Sequence, residues 1–489
     1  MKNRIIKDSF FILLANALTY VTSIVTTKII SVTFPLAEYG FRSQIMTIAT
    51  LLSSICSLGL SSAATYFIPL SNDRTEKNIA FILRNIYVIL IPICLFVLLV
   101  SCVGGDGIAV FFKNPELAKY RVYFALISAE HIIFSIYAGS QIAQHRALRS
   151  TLTNCCRAVT VVVVTWIICY LHKDIFTVII GSICIDVVFC IYTVIDATKV
   201  FKFREKWLDS GLIKEILKYC IPLGLSSITG VLCSQIDKVF VSKLLTLEDL
   251  AIYTNMCTEL PLAAISGAFI AVITPFVVKM ISQNKVEAAV EMWGQIVELV
   301  AIILFPIITV LVVFSRQVII ILYSEDYVVG YQLFRIFAIM ELSRLTYYGL
   351  ILKSYGKSSL ILLCSGLTLI LDVLLNLLFY FGFGLGMYGL ALGTLSSTFI
   401  VLILQLIMSS KVSGVKMRQI FPWRALLLCA VVNIALGCGA WLVSYALGFN
   451  HILVLWKFVL LGIIWAIIYL LLMARRIKNL YQKTMKLQN

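Results

Sequence analysis

Apolar runs of about 20 residues recur along nearly the whole chain, and each is long enough to cross roughly 30 Å of hydrocarbon as a helix. This recurrence limits the fold severely, because a bilayer admits only structures whose backbone polar groups are satisfied internally. With 61% of 489 residues hydrophobic, 13% charged and a mean hydropathy of +1.00, a soluble protein would have nowhere to bury its apolar surface. The runs predict an all-α polytopic membrane protein with about 14 transmembrane helices, at roughly 8–33, 42–70, 79–103, 119–144, 148–171, 174–198, 214–243, 250–279, 288–314, 328–353, 358–382, 387–410, 424–447 and 452–474. The connections are short, so chemistry must sit among the helices or in small loops.

Charge tests the parity of those spans. One side collects Lys2, Arg4 and Lys7; Arg74 and Lys77; Arg146 and Arg149; Lys199, Lys202, Arg204, Lys206, Lys214 and Lys218; Lys279 and Lys285; Lys353 and Lys357; Lys411, Lys416, Arg418 and Arg424; and Arg475, Arg476, Lys478, Lys483 and Lys486. The other side holds only Arg42, Lys113, Lys119, Arg121, Lys173, Lys243 and Arg316. Positive charge stays in the cytoplasm, so both termini are expected there. The excess of 40 Lys and Arg over 24 Asp and Glu is therefore a topology signal, and no nucleic-acid partner is implied. Ala15-Asn16-Ala17 resembles a cleavage site, but the apolar run continues past it and predicts an uncleaved first span.

The longest cytoplasmic connection carries Lys199, Lys202, Arg204 and Lys206 around Phe201, Phe203 and Trp207, a pattern suited to lying against anionic membrane lipids. It separates two halves that match weakly at an offset of about 210: Lys28 falls on Lys238, Glu38 on Glu248, Tyr137 on Tyr347 and Gly139 on Gly349. The expected organisation is a six-helix lobe over 1–198, an amphipathic linker over 199–213, a second six-helix lobe over 214–410, and two further helices with a basic tail over 411–489.

Several motifs fail in context. Gly384-Leu385-Gly386-Met387-Tyr388-Gly389 satisfies GxGxxG but lies between two spans with no preceding strand, and Gly356-Lys357-Ser358 lacks its earlier glycine, since position 351 is Ile351. His131, His145, His172 and His451 are scattered, and cysteines such as Cys56, Cys94, Cys184, Cys190 and Cys364 fall inside apolar runs as small hydrophobes. No metal site, cofactor or enzymatic centre is expected.

Charges inside spans are costly and mark pathways or pairs. Glu130, His131, Asp186, Glu341, Arg344 and Asp372 fall near mid-depth, with Glu298 slightly towards the cytoplasm. Arg84 and Arg157 lie in the cytoplasmic half, and Lys28, Asp237, Lys238, Glu259 and Arg335 in the outer half. The cations form a series through the depth of the protein. Glu341 and Arg344, three apart on one helix face, can instead neutralise each other, and Lys28 and Lys238 can extend towards the interface. Pro92, Pro222, Pro275, Pro306, Gly224, Gly230 and Gly366 within spans permit bends.

The stretch Asn16 to Gly40, ending Phe34-Pro35-Leu36-Ala37-Glu38-Tyr39-Gly40, resembles the first helix and loop of the polysaccharide flippases of the multidrug/oligosaccharidyl-lipid/polysaccharide (MOP) exporter superfamily. So do Gln235-Ile236-Asp237-Lys238 through Tyr253, Thr274-Pro275-Phe276, Phe305-Pro306 through Ser315, Tyr323 to Tyr327, and Leu371-Asp372 through Asn376 and on to Ala391. Phe41-Arg42 departs from that pattern, which has no charge there. The resemblance implies two lobes around a cationic cavity in a bacterial cytoplasmic (inner) membrane, moving an undecaprenyl-pyrophosphate-linked oligosaccharide outward by alternating access. The in-span cations Lys28, Lys238, Arg335, Arg344, Arg84 and Arg157, read from their depth and not matched one for one with the family's, are the candidate substrate contacts in such a cavity, and a polysaccharide polymerase is a further expected partner. The absence of a nucleotide site points to H+ or Na+ coupling through Glu130, Asp186, Glu341 or Asp372. Competing readings are a lipid-II-type flippase, a cation-coupled drug exporter, and a membrane glycosyltransferase, ligase or polymerase, the last disfavoured by short outer loops.

Overall fold

The computed structural model describes residues 2–70, 76–144, 146–172, 174–199, 208–258, 260–446 and 455–488. Arg74, His145, Lys173, Glu259, His451 and most of the 199–213 linker lie outside the described residues, as do the side chains of Lys2, Arg4, Lys7, Lys77, Lys483 and Lys486. The described residues are helical with short connections, and no strand occurs among them.

The helices are α1 Lys2–Thr33, α2 Leu36–Ser57, α3 Ser61–Leu70, α4 Glu76–Phe111, α5 Arg121–Ala143, α6 Ala147–Tyr170, α7 Ile175–Thr198, α8 Ser210–Leu244 and α9 Leu247–Met256. They continue as α10 Leu262–Ser282, α11 Val286–Val313, α12 Ser315–Leu322, α13 Tyr331–Met340, α14 Leu350–Ser354, α15 Ser358–Leu377, α16 Gly386–Ser413, α17 Met417–Ile420, α18 Trp423–Ala446 and α19 Leu455–Gln488. Among the described residues, 11 segments are long and apolar enough to cross a membrane. They correspond to the expected spans except for the first, the eighth's leading part, the tenth and the last. α1 is diluted by Asn16, Thr19, Thr22, Ser23, Thr26, Thr27 and Lys28, and the tenth, 328–353, is no single helix. It is α13, a 3-10 turn Glu341–Arg344 and α14. The second span also breaks, because Leu58 (φ 47°) and Gly59 (φ 70°) turn left-handed between α2 and α3.

Contacts divide the chain into two compact units, Met1–Thr254 with Leu322–Ser324, and Asn255–Ile321 with Glu325–Asn489. This division falls after α8 and most of α9, not in the 199–213 segment. In the first unit α5 is the hub, packing on α2, α3, α4, α6 and α7, while α1 lies along α6 and α8 along α2. Leu83, Ile86, Phe124 and Ile136 are fully buried in that unit's core. At Gly139 of α5 a Cβ would stand 2.2 Å from the Ser61 carbonyl oxygen of α3, so only glycine allows this approach. α1 and α2 are joined across Phe34-Pro35, and α8 and α9 across Leu245-Thr246, about 210 residues later.

In the second unit α11 packs on α10, α13, α18 and α19, and α15 pairs with α16. Trp293 is fully buried at its centre and donates from Nε1 to Thr346 Oγ1 at 2.8 Å. α4, α8, α10 and α11 run through Pro92, Pro222, Pro275 and Pro306 without ending.

Candidate functional site

Three of the expected residues come together in the first unit. Arg157 of α6 places Nη1 2.8 Å from Glu130 Oε1 of α5 and 2.8 Å from Asp186 Oδ1 of α7. Its guanidinium also lies 4.9 Å from the Phe134 ring centroid, one turn from Glu130. His131 Nε2 is 3.9 Å from Glu130 Oε2. Glu130 is buried, while the Arg157 side chain keeps 30% of its exposure and Asp186 17%. Two carboxylates thus share one guanidinium, for a formal charge of −1 when all are ionised. A buried excess charge of this kind favours uptake of a proton or a small cation.

A second level repeats the arrangement on the same helices. Asp196 of α7 accepts from Tyr137 of α5 at Oδ2 (2.9 Å) and pairs at Oδ1 with Arg149 Nη2 of α6 (2.6 Å). Seven residues on α5 and eight on α6 separate the levels, about 10–12 Å at helical rise. Sequence reasoning counted Arg149 as a loop charge and passed over Asp196, which lies ten residues, nearly three turns, after Asp186 on α7.

Other expected residues stand apart. Lys28 is half-buried on α1, and its Nζ donates to the Tyr323 carbonyl. Lys238 on α8 is half-buried beside Asp237, whose Oδ2 accepts from Tyr253 at 3.0 Å. Arg84 is buried at an apolar cavity of about 570 Å³ between α4, α5 and α7.

In the second unit Arg344 Nε lies 3.3 Å from Glu341 Oε2 within the 3-10 turn, the neutralising pair that their spacing allows. Asp372 of α15 is buried and accepts from Ser397 Oγ of α16 (3.3 Å) and Asn376 Nδ2 (3.4 Å). Gly393 makes that approach feasible, since a Cβ there would stand 2.1 Å from Asn376 Oδ1. Arg335 donates from Nε to the Val312 carbonyl (2.9 Å) and to Ser315 Oγ (3.0 Å). Glu298 of α11 pairs with Arg476 Nε of α19, a partner that the tail's basic run concealed. Among the described residues no group of His, Cys, Asp and Glu could hold a metal ion.

The family model described as polysaccharide biosynthesis protein matches residues 5–285. Compared by sequence with curated proteins, the chain matches none. By structure it is similar to the lipid II flippase MurJ in an inward closed conformation, with TM-score 0.71 and 16% identity over 96% of this chain and 100% of that one. It is similar to an inward-facing multidrug resistance MATE family transporter of the MOP superfamily, with TM-score 0.65 and 13% identity over 81% of this chain and 94% of that one. A MOP superfamily transporter from Pyrococcus furiosus gives TM-score 0.51 and 13% identity over 84% and 95%. Identities this low speak to the fold.

Proposed function

We propose a function from one premise: the chain belongs to the polysaccharide biosynthesis protein family and has the fold of the MOP superfamily. It is a multi-pass membrane protein of the flippase and transporter type. On our reading it moves an undecaprenyl-pyrophosphate-linked oligosaccharide from the cytoplasmic to the outer leaflet of a bacterial inner membrane, with both termini in the cytoplasm. It is a carrier and not an enzyme, and a polysaccharide polymerase consumes its product.

The observation that carries this reading is the family match over 5–285, joined to cations set inside spans. A diphosphate cannot enter hydrocarbon unless cations and hydrogen-bond donors replace its water. Lys28, Lys238 and Arg344 are suited to that task, being half-buried rather than sealed in a core. The hydroxyls of α1 are suited to sugar: Thr26 and Thr27 precede Lys28 directly on that helix. Alternating access is the transport cycle that this reading adopts.

Coupling to H+ or Na+ is the second part of the proposal. The Glu130–Arg157–Asp186 cluster has one carboxylate more than it has cations, and Asp372 sits among Asn376 and Ser397. Either group could take a cation in one arrangement and release it in another.

The test is translocation of a lipid-linked oligosaccharide by the purified protein in vesicles, read by access of a membrane-impermeant lectin. Transfer that depends on the protein and accelerates with an imposed proton or sodium gradient is expected. Absence of transfer for any polyprenyl-linked sugar, with efflux of a cationic drug instead, would overturn the substrate. Rates indifferent to both gradients would overturn the coupling.

A further inference from the structure

Two arginines of the second unit flank a single aromatic ring. The guanidinium carbon of Arg316 lies 4.4 Å from the Tyr331 centroid, and that of Arg335 lies 5.0 Å from it. Arg335 is fixed by its Nε bonds to Val312 and Ser315, which leaves Nη1 and Nη2 without a partner among the described residues. Neither arginine has a carboxylate within ion-pair distance among them. The two guanidinium carbons are no farther apart than the sum of their distances to the ring centroid, close enough for one anionic group at the rim of the ring to interact with both.

Next to Arg335 opens a cavity of about 460 Å³ between α11, α13 and α18, within the range of small-molecule sites. Its walls include Phe305, Ile308, Ile339, Ile434, Cys438 and Trp441, and Arg335 is its only charged lining residue. Ile339, Ile434 and Trp441 remain 40%, 63% and 49% exposed, so the cavity opens sideways through an apolar wall. α11 follows Lys285 and α18 contains Arg424 in its first turn, both expected in the cytoplasm. The Val312, Ser315 and Trp441 ends are therefore at the outer interface, where Trp441 stacks on Tyr445 with centroids 5.8 Å apart.

We propose that this cavity holds a resident anionic phospholipid of the outer leaflet, its phosphate at the mouth beside Arg335 and within reach of Arg316, and one acyl chain against α11 and α18. Charge complementarity selects the headgroup: two guanidiniums with no carboxylate partner among the described residues match an anionic phosphate, and a zwitterionic lipid would bring an ammonium beside them. Volume selects the tail. The cavity has room for about fifteen methylenes at roughly the 30 Å³ that a water takes in the liquid, which suits one fatty-acyl chain. A helix of a second protein copy, about 10 Å across, does not fit such a space. This assignment takes Arg335 out of the cargo contacts expected from the sequence and gives it to a lipid that stays while cargo passes.

The experiment is native mass spectrometry of the full chain in detergent, offered equal amounts of phosphatidylglycerol and phosphatidylcholine. The wild type should retain phosphatidylglycerol preferentially. The Arg316→Gln/Arg335→Gln variant should lose that preference about tenfold or more, as two charge-assisted contacts disappear. Cys438→Trp, which places an indole in the cavity and leaves both arginines, should reduce retention of both lipids. Equal retention of the two lipids by the wild type would overturn the proposal, as would a preference that survives the double substitution in protein of unchanged thermal unfolding. Should the double variant fail to fold, Cys438→Trp decides: undiminished retention refutes the site. One-for-one displacement of phosphatidylglycerol by a polyprenyl diphosphate would assign the cavity to cargo and also overturn it.

Discussion

Arg149 at the start of α6 meets Asp196 near the end of α7, with Nη2 2.6 Å from Oδ1. The Asp196 side chain is 2% exposed and that of Arg149 43%. Removing the arginine leaves a buried carboxylate with one neutral donor, Tyr137. Arg149→Ala should destabilise the protein by about 1–3 kcal/mol, less than a fully buried pair because Arg149 reaches solvent. Tyr137→Phe should cost about 1 kcal/mol. Thermal unfolding in detergent ranks them, and an Arg149→Ala midpoint equal to wild type would mean that the pair contributes nothing.

Charge balance around Arg157 makes its substitutions unequal. Glu130→Gln leaves Arg157 paired one to one with Asp186, so the protein should stay folded while transport loses its dependence on the driving gradient. Arg157→Gln leaves two carboxylates facing each other and should lower both yield and melting temperature. Parallel assays of abundance and of translocation with and without a gradient separate the two effects. Identical behaviour of both variants would defeat the charge argument.

Lys28→Gln, Lys238→Gln and Arg344→Gln should each reduce export at least tenfold, about the value of one charge-assisted contact, with membrane abundance retained. Arg344 is the most informative, because Glu341 lies 3.3 Å from it. If Glu341→Gln/Arg344→Gln together restore export, the pair is structural and Arg344 leaves the cargo path. Complementation of an export-deficient strain, with immunoblotting, reads all four variants.

Topology follows from the Lys and Arg asymmetry. Reporter fusions after about residues 145, 206, 285 and 415 should report cytoplasm, and those near 110, 246 and 385 the outside. A cytoplasmic signal at the α8–α9 turn near 246 would break the two-lobe reading.

Hydropathy revealed the helical class and most spans because lipid exposure demands long apolar runs, and α4, α11 and α18 follow that demand closely. It failed at 328–353, where the run stays apolar while the backbone breaks at Glu341–Arg344. Glu130, Arg157 and Asp186 stood out in the sequence as charges inside apolar spans, although Arg157 was expected nearer the cytoplasm than the two carboxylates that it meets. Their contact was not legible, since the azimuth at which α5, α6 and α7 face one another depends on packing. Asp196 and Arg476 were missed for a related reason: each lies near a span's end, where charge looks like topology until its partner on another helix is seen.

The α5–α6–α7 ion cluster also dictates an order of biogenesis. Along the chain Glu130 comes about one helix before Arg157, and Asp186 about one helix after it. A lone carboxylate at mid-depth is expensive in lipid. α5 is therefore expected to wait beside the insertion machinery until α6 arrives, and the three helices to leave it as a charged hairpin bundle rather than one at a time.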